Sequence, residues 1–155
     1  MFGQIVLVLA TVATGLGAGL FYAFSCAVMP ALRRSDDATR VQAMQRINAS
    51  IQNPVFALSF AGAPLLTAVA LVADAVAGNW PRVVGEALGL ILFGSALVIT
   101  FRINIPLNLG IDRADPADPA PAWRAFEEPW VRWNNVRTLG TTASLAALVV
   151  TLSLT

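Results

Sequence analysis

The feature that most constrains this chain is the length of its segments without any charged residue. Residues 1–32 and 47–73 contain no Asp, Glu, Lys or Arg, and neither do residues 138–155. A helix needs about 20 predominantly apolar residues to cross a bilayer. Charged residues make up only 12% of the chain, whereas an ordinary soluble domain contains about 25%. The pattern predicts a polytopic membrane protein.

Four segments have the length and composition of membrane spans. They lie at about residues 3–29, 54–76, 83–107 and 134–154. The third contains the shortest charge-free run, which covers roughly 22 Å of a hydrocarbon core about 30 Å thick. Glu86 or Arg102, which flank that run, must therefore snorkel or lie at hydrocarbon depth. Asp74 and Glu86 lie near the outer ends of their spans, where we expect them to be solvated.

Short connections between long spans favour antiparallel neighbours. We therefore expect one all-α domain over residues 1–155, an antiparallel four-helix bundle in the membrane. The arginines set its orientation, because the first and third connections contain seven of them and the second only Arg82. Cytoplasmic loops carry such an excess, so we expect both termini outside the cell (inner) membrane. No basic residue precedes the first span, which we interpret as an uncleaved signal anchor.

The first connection carries a helical pattern of its own. Ser35, Asp36 and Asp37 form a helix-start signal, with a capping hydroxyl and acids in the first turn. Apolar residues at three-four spacing continue from Val41 into the second span, which is typical of one amphipathic helix. We expect helix 2 to begin as a cytoplasmic extension and to kink at Pro54.

A short helix is also expected before the fourth span. It runs through residues 123–126, after a polar linker over residues 112–121, and merges with the span across Pro129. The third span is expected to begin after Asn79, with Pro81 in its first turn and Gly110 at its C-terminal end.

Polar residues cluster at the cytoplasmic ends of three spans. The candidate site consists of Asn48, Gln52, Arg102, Asn104, Asn108, Trp130, Trp133, Asn134 and Arg137. In an antiparallel bundle these ends meet at one face, where sites between helices are commonly built. We therefore expect one cavity at the cytoplasmic side.

Local spacing supports part of this cluster. Asn104 and Asn108 are four residues apart and share a helix face, and Pro106 between them cannot donate a backbone hydrogen bond, which opens the last turn. Trp130, Asn134 and Arg137 also share one face. This stripe favours a functional site, because a helix end that faces lipid has no need of Asn and Arg beside Trp.

Each candidate also has a structural interpretation. A buried Asn48 fixes helix register in some bundles, Arg102 can snorkel to lipid headgroups, and Trp133 fits an interfacial aromatic belt. Glu127 and Glu128 are candidate counter-ions or bases, although Glu128 and Arg132, four residues apart, also fit an ordinary surface pair.

The composition excludes several classes of site. The chain has no His and one Cys, so the usual imidazole metal sites and an internal disulfide cannot form. We expect no metal. No basic cluster is dense enough for nucleic acid, and we expect membrane lipid around the chain, with room for a hydrophobic small-molecule ligand. Whether the chain forms a homo-oligomer stays open.

An ordered set of motifs carries a resemblance to a known family. A Gly-rich first span runs into VMPAL at residues 28–32, and AMQRIN follows at 43–48. NIPLN at residues 104–108 and the stripe from Trp130 to Arg137 complete the set. Together they resemble the anthrone-oxygenase-like family of small four-helix membrane proteins, over nearly the whole chain.

The resemblance implies oxidation of an anthrone by O₂ to the anthraquinone, without a metal, flavin or other cofactor. Arg137 and Arg102 would stabilise the enolate, with the amides of Asn104, Asn108 and Asn134 as further donors, since preorganised donors supply much of such catalysis. Trp130 would stack on an aromatic ring, and Asn48, Gln52 and Trp133 would contact substrate. The base would be Glu127, Glu128 or a water held by the amides.

Three hypotheses remain open at this point. The first is a cofactor-independent oxygenase, which requires a cavity for a planar ring system. The second is a non-enzymatic membrane module that binds a lipid, quinone or anionic small molecule in a groove open to lipid. The third is a structural assembly subunit, in which the amides bond to one another and no cavity remains.

Overall fold

The computed structural model describes residues 2–154, and it is all α-helical over that range. We label its five helices α1 (Phe2–Leu32), α2 (Asp37–Ile51), α3 (Pro54–Val76), α4 (Trp80–Asp112) and α5 (Ala120–Leu152). No strand is present among the described residues. The expected all-α fold is confirmed.

The four long helices form a bundle, in which α1 packs against α3 and α5, and α4 packs against the same two helices. Neighbours run antiparallel. Gly3, at the start of α1, faces Asp74 near the end of α3, because a Cβ added at Gly3 would lie 3.2 Å from Asp74 Oδ1. Gly85, early in α4, leaves no room for a side chain beside Thr151, near the end of α5. We call this end of the bundle the Asp74 end.

Three helices of the described chain, α1, α3 and α4, are long and apolar enough to cross a membrane. The predicted fourth span, in α5, is not among them. The reason lies on its buried face, which carries polar residues along its whole length: Asn134, Arg137, Thr141, Ser144 and Thr151. These side chains lower the hydropathy of α5, although it packs as tightly as the other helices.

The connection between α2 and α3 corrects the expected kink at Pro54. The single predicted helix 2 is two helices in the structure, α2 and α3. Asn53 caps the second of them, α3, with its side-chain oxygen accepting from the Phe56 N–H at 3.0 Å. Asn53 is extended, with φ −131° and ψ 159°, because proline disfavours the helical conformation in the residue before it. A helix start in this segment is confirmed, but the cap is the Asp36 carboxylate and not the predicted Ser35 hydroxyl, which donates to the Ala31 carbonyl.

Two π-helical segments lie at the end of the bundle opposite Asp74. They lie within α1 at Phe24–Val28 and within α4 at Thr100–Asn104. Each ends two residues before a proline, Pro30 or Pro106, which lacks the N–H that an α-helix would use. The predicted opening of the last turn at Pro106 takes the form of a wider, π-helical turn. The helix does not end there, and α4 continues to Asp112. The helix across Pro129 is continuous, as predicted.

The charged residues at the Asp74 end are buried, which corrects the expectation that Asp74 and Glu86 are solvated. Asp74 is 6% exposed and Glu86 is 0% exposed. Arg82 Nε lies 3.2 Å from Asp74 Oδ2, across the short turn between α3 and α4. The first turns of α1 and the last turns of α5 cover this cluster, so it is part of the interior.

Candidate functional site

A cavity of about 810 Å³ lies at the end of the bundle opposite Asp74. All five helices contribute to its wall. Most of the wall is apolar and partly aromatic, with Phe21 and Phe24 from α1, Met44 from α2, Phe60 from α3, Phe101 from α4 and Trp130 from α5. The polar side chains that line it are gathered at two places, which we call the inner end and the rim. The expectation of a cavity is met.

Arg137 forms the inner end, where it is 5% exposed. Its Nη1 donates to Thr100 Oγ1 at 3.1 Å, and its Nη2 donates to Asn134 Oδ1 at 2.9 Å. Its Nε has no hydrogen-bond partner. No carboxylate of the described residues forms an ion pair with it, since the ion pairs found there are Arg33–Glu127, Arg40–Asp37 and Arg82–Asp74. The inner end therefore carries an uncompensated positive charge.

Asn134 holds this guanidinium in place. Its Nδ2 donates to the Phe21 carbonyl at 3.0 Å and to Ser25 Oγ at 2.8 Å, and both acceptors belong to α1. Ser25 lies in the π-helical segment of that helix. Because the amide nitrogen donates to two acceptors on α1, the amide oxygen points toward Arg137. The orientation of the charge thus depends on the contact between α1 and α5.

Aromatic rings surround the charge. The Arg137 guanidinium carbon lies 4.3 Å from the ring centre of Phe21 and 5.5 Å from that of Trp130. Cations interact favourably with ring faces at such distances. Trp130 also packs on Phe24, with ring centres 5.3 Å apart. A planar aromatic ligand at the inner end would therefore meet ring faces and a cation together.

The rim is built from α2, α4 and the indole of Trp130. Trp130 Nε1 donates to Asn108 Oδ1 at 2.8 Å, and Asn48 Nδ2 donates to Asp112 Oδ1 at 2.9 Å. Gln45 Nε2 donates to the Ile111 carbonyl at 3.0 Å. The bond of Trp130 joins α5 to α4, and the other two fasten α2 to the last turns of α4. Asp112 is the one carboxylate among the described residues that line the cavity.

Arg137 at the inner end and Asp112 at the rim are far apart, although Trp130 lies between the two places, near Arg137 and bonded to Asn108. Thr100 and Asp112 both lie on α4 and line the cavity, and their twelve-position separation corresponds to about 18 Å of helix. One small functional group therefore cannot touch Arg137 and Asp112 together. A ligand that fills the cavity is elongated, or leaves room for water at the rim.

The structure brings six of the nine predicted site residues to the cavity wall, namely Asn48, Gln52, Asn108, Trp130, Asn134 and Arg137. Asn104 is buried behind the wall, where its Nδ2 donates to the Trp130 carbonyl at 3.4 Å. Arg102 is exposed on the outer surface of α4, and Trp133 is half-buried; neither lines the cavity.

The candidate bases lie elsewhere. Glu127 pairs with Arg33 and accepts from Trp123 Nε1, and Glu128 is exposed. Neither lines the cavity. Sequence reasoning missed Asp112, which it assigned to the linker, although Asp112 follows Asn108 at the same four-residue spacing that joins Asn104 to Asn108. Thr100 and Phe21 were also missed, and nothing in their local sequence separates them from ordinary membrane-helix residues.

One comparison with known proteins found a match. The model of the anthrone oxygenase family matches residues 41–149, more than half of the chain. The matched region contains every polar residue of the inner end except Ser25, and every polar residue of the rim. No curated protein and no solved structure gives a significant match. Within the described residues, no group of three His, Cys, Asp or Glu side chains is placed to hold a metal ion.

Proposed function

Since the chain belongs to the anthrone oxygenase family, we propose that it is a cofactor-independent oxygenase of a hydrophobic, anthrone-type aromatic. The observation that carries this proposal is Arg137, a buried cation that has no carboxylate partner among residues 2–154, at the inner end of an apolar, aromatic-lined cavity. A buried charge without a partner is costly. An anionic ligand at this position removes that cost, and the enolate of an anthrone is such an anion.

The reaction begins with loss of a proton from the doubly benzylic carbon of the anthrone. The negative charge spreads to the carbonyl oxygen, which lies beside Arg137 and gains its stabilisation as the charge develops. The substrate thus binds in a site that favours its reactive form. Thr100 and Asn134 keep the guanidinium fixed, so little reorganisation is needed.

The enolate then supplies the electrons that reduce O₂. Carbon and oxygen join to give a peroxide at the former C–H carbon, and the peroxide takes up one proton. Loss of the second proton from that carbon and cleavage of the O–O bond release water and leave the new carbonyl. One oxygen atom enters the quinone and the other enters water. No cofactor is assigned, because the substrate itself provides all four electrons: two as the enolate forms the C–O bond, and two from the second C–H bond as the O–O bond breaks.

The protons are proposed to leave through water toward the rim. Asp112 is the carboxylate that lines the cavity there, held by the Asn48 amide. The separation of about 18 Å along α4 excludes direct contact between Asp112 and a substrate carbon at the inner end. Asp112 is therefore proposed as the acceptor at the end of a water path. Glu127 and Glu128 have no part in this scheme.

The membrane placement completes the proposal. Because α5 packs along α1 and α4, we propose that it crosses the bilayer with them as the fourth span. Its polar face points into the bundle, where it does not meet lipid. The excess of arginine in the first and third connections supports an orientation with both termini outside and with the cavity at the cytoplasmic side of the cell membrane.

A second candidate function is retained, a membrane module that binds an anionic lipid or a quinone without turnover. It is favoured by the exposure of Phe101, which lines the cavity and is 63% exposed. The assembly-subunit hypothesis required that no cavity remain, and the cavity of about 810 Å³ disagrees with it.

The test is oxygen uptake by the purified protein with a hydroxylated anthrone, corrected for a blank without protein. Removal of one oxyanion donor costs about 10²–10³ in kcat, and we expect Arg137→Gln to lose that much. Arg132→Gln is the matched control, since Arg132 is exposed on the same helix and does not line the cavity. Equal rates for wild type and Arg137→Gln would contradict the proposal.

A further inference from the structure

Some residues of the cavity wall are also exposed. Ala57 and Ala61 of α3 belong to this group, as do Phe101, Ile105 and Leu109 of α4. Phe101 is 63% exposed and Leu109 is 48% exposed, whereas Arg137 and Asn134 of the inner end are buried. Residues that are both lining and exposed mark an opening. We call these five apolar residues the lateral portal; Gln52, Asn53, Pro54 and Asp112 are also lining and exposed and continue the opening to the rim.

The portal has a regular construction. Ala57 and Ala61 are four residues apart, and so are successive members of the trio on α4, so each set follows one helix face. The helices that carry them are neighbours in the bundle. Alanine on the α3 side leaves space that a larger side chain would fill. The opening is therefore a slot between α3 and α4, parallel to the helices.

The surface around the slot is apolar. Val55 is 80% exposed and Leu58 is 78% exposed beside the α3 edge, and Val98 is 62% exposed beside the α4 edge. Helix α3 has no charged residue before Asp74. Both helices are long and apolar enough to cross a membrane. The slot thus opens on a surface suited to lipid chains.

Helix α2 covers part of the other approach. Met44 is 1% exposed and lines the cavity, and the bonds of Asn48 to Asp112 and of Gln45 to the Ile111 carbonyl fasten α2 over the rim. The side chains left exposed at the rim include the polar Gln52, Asn53 and Asp112, whereas the lateral portal is apolar and suits a lipid-soluble aromatic.

We propose that the aromatic ligand enters sideways from the bilayer through the lateral portal and that its source is the membrane phase. This rests on the proposed function for the identity of the ligand. The proposed ligands are therefore aromatics that partition into lipid. The oxygen atom that becomes anionic enters first, toward Arg137. A slot edged by alanines and Phe101 admits a flat ring system edge-on.

The experiment measures binding and turnover of the full chain in lipid nanodiscs. A hydroxylated anthraquinone serves as the probe, and its association rate is followed by quenching of tryptophan fluorescence, since Trp130 lines the cavity. The blocking variant is Ala57→Phe/Ala61→Phe. Its matched control is Leu58→Phe/Leu65→Phe, because both leucines are exposed on α3 and neither lines the cavity.

The blocking variant is expected to bind the probe about tenfold more slowly than the wild type, while the control stays within about twofold. Equal rates for the two variants would overturn the portal. Failure of the wild type to bind the probe would overturn it as well.

The two proposals fail differently. Binding that is slowed by the blocking variant, without oxygen uptake by the wild type, would support the portal and reject the oxygenase. Turnover above the blank, with an association rate that the blocking residues leave unchanged, would support the oxygenase and reject the portal.

Discussion

Arg137 donates a hydrogen bond of 2.9 Å to the side-chain oxygen of Asn134. The amide nitrogen of Asn134 is bound to the Phe21 carbonyl and to Ser25 Oγ on α1, so the position of the charge on α5 is set by another helix. The inner end of the cavity is therefore a property of the α1–α5 contact. Removing the amide is expected to affect folding and activity together.

Asn134→Ala removes the bonds to the Phe21 carbonyl and Ser25 Oγ and leaves part of the buried guanidinium unpaired. A buried polar group without a partner costs about 1–3 kcal/mol, and we expect the free energy of unfolding to fall by that amount, measured by denaturation in detergent. Asn135→Ala is the control, because Asn135 is exposed next in the chain. Equal stability of the two variants would show that the amide does not hold α1 to α5.

Asp112→Asn tests the proposed path for protons. The asparagine keeps an oxygen that accepts from Asn48, so α2 stays fastened, but it cannot take up a proton. Proton transfer by a positioned group contributes about 10²–10⁴-fold, and because water shares the task here we expect kcat to fall by about tenfold or more, with KM unchanged. Asp118→Asn, an exposed linker change outside the cavity, should leave kcat unaltered. A fall in kcat for both variants, or for neither, would remove Asp112 from the scheme.

Asp74→Ala separates stability from activity. It leaves Arg82 buried without its partner, and breaking a buried ion pair costs about 3–5 kcal/mol. We expect a lower midpoint of thermal unfolding and, in the protein that remains folded, an unchanged rate of oxygen uptake, since this cluster lies at the opposite end of the bundle. An unchanged midpoint would mean that water reaches the cluster.

Part of the site could be predicted because helical spacing is local. The stripe of Trp130, Asn134 and Arg137 needs only the 3.6-residue period to place it on one face, and the structure buries all three. Arg102 shows the limit of the same reasoning. Arg102 is two positions from Thr100 and from Asn104, so it lies on the side of α4 opposite both. In the sequence, however, it looks like Arg137, because each is an arginine beside an apolar run.

Other features depend on contacts between distant helices. Asp112 looked like part of a linker because prolines and acids follow it, and only the packing of α2 on α4 makes it part of the cavity. Glu86 looked solvated because it is near the start of its span, but neighbouring helices cover it. Helix α5 fails a hydropathy criterion because of its polar face. Such a criterion takes no account of the neighbouring helices that cover this face. Pairing between helices, rather than local propensity, decides all three.

The most direct test of the central claim uses ¹⁸O₂ with protein freed of metal by a chelator and checked for the absence of flavin by its absorbance. The account predicts conversion of a hydroxylated anthrone faster than the blank, with one ¹⁸O atom in the quinone, one O₂ consumed per quinone and no accumulation of hydrogen peroxide. A rate equal to the blank, or a quinone without ¹⁸O formed together with hydrogen peroxide, would contradict it.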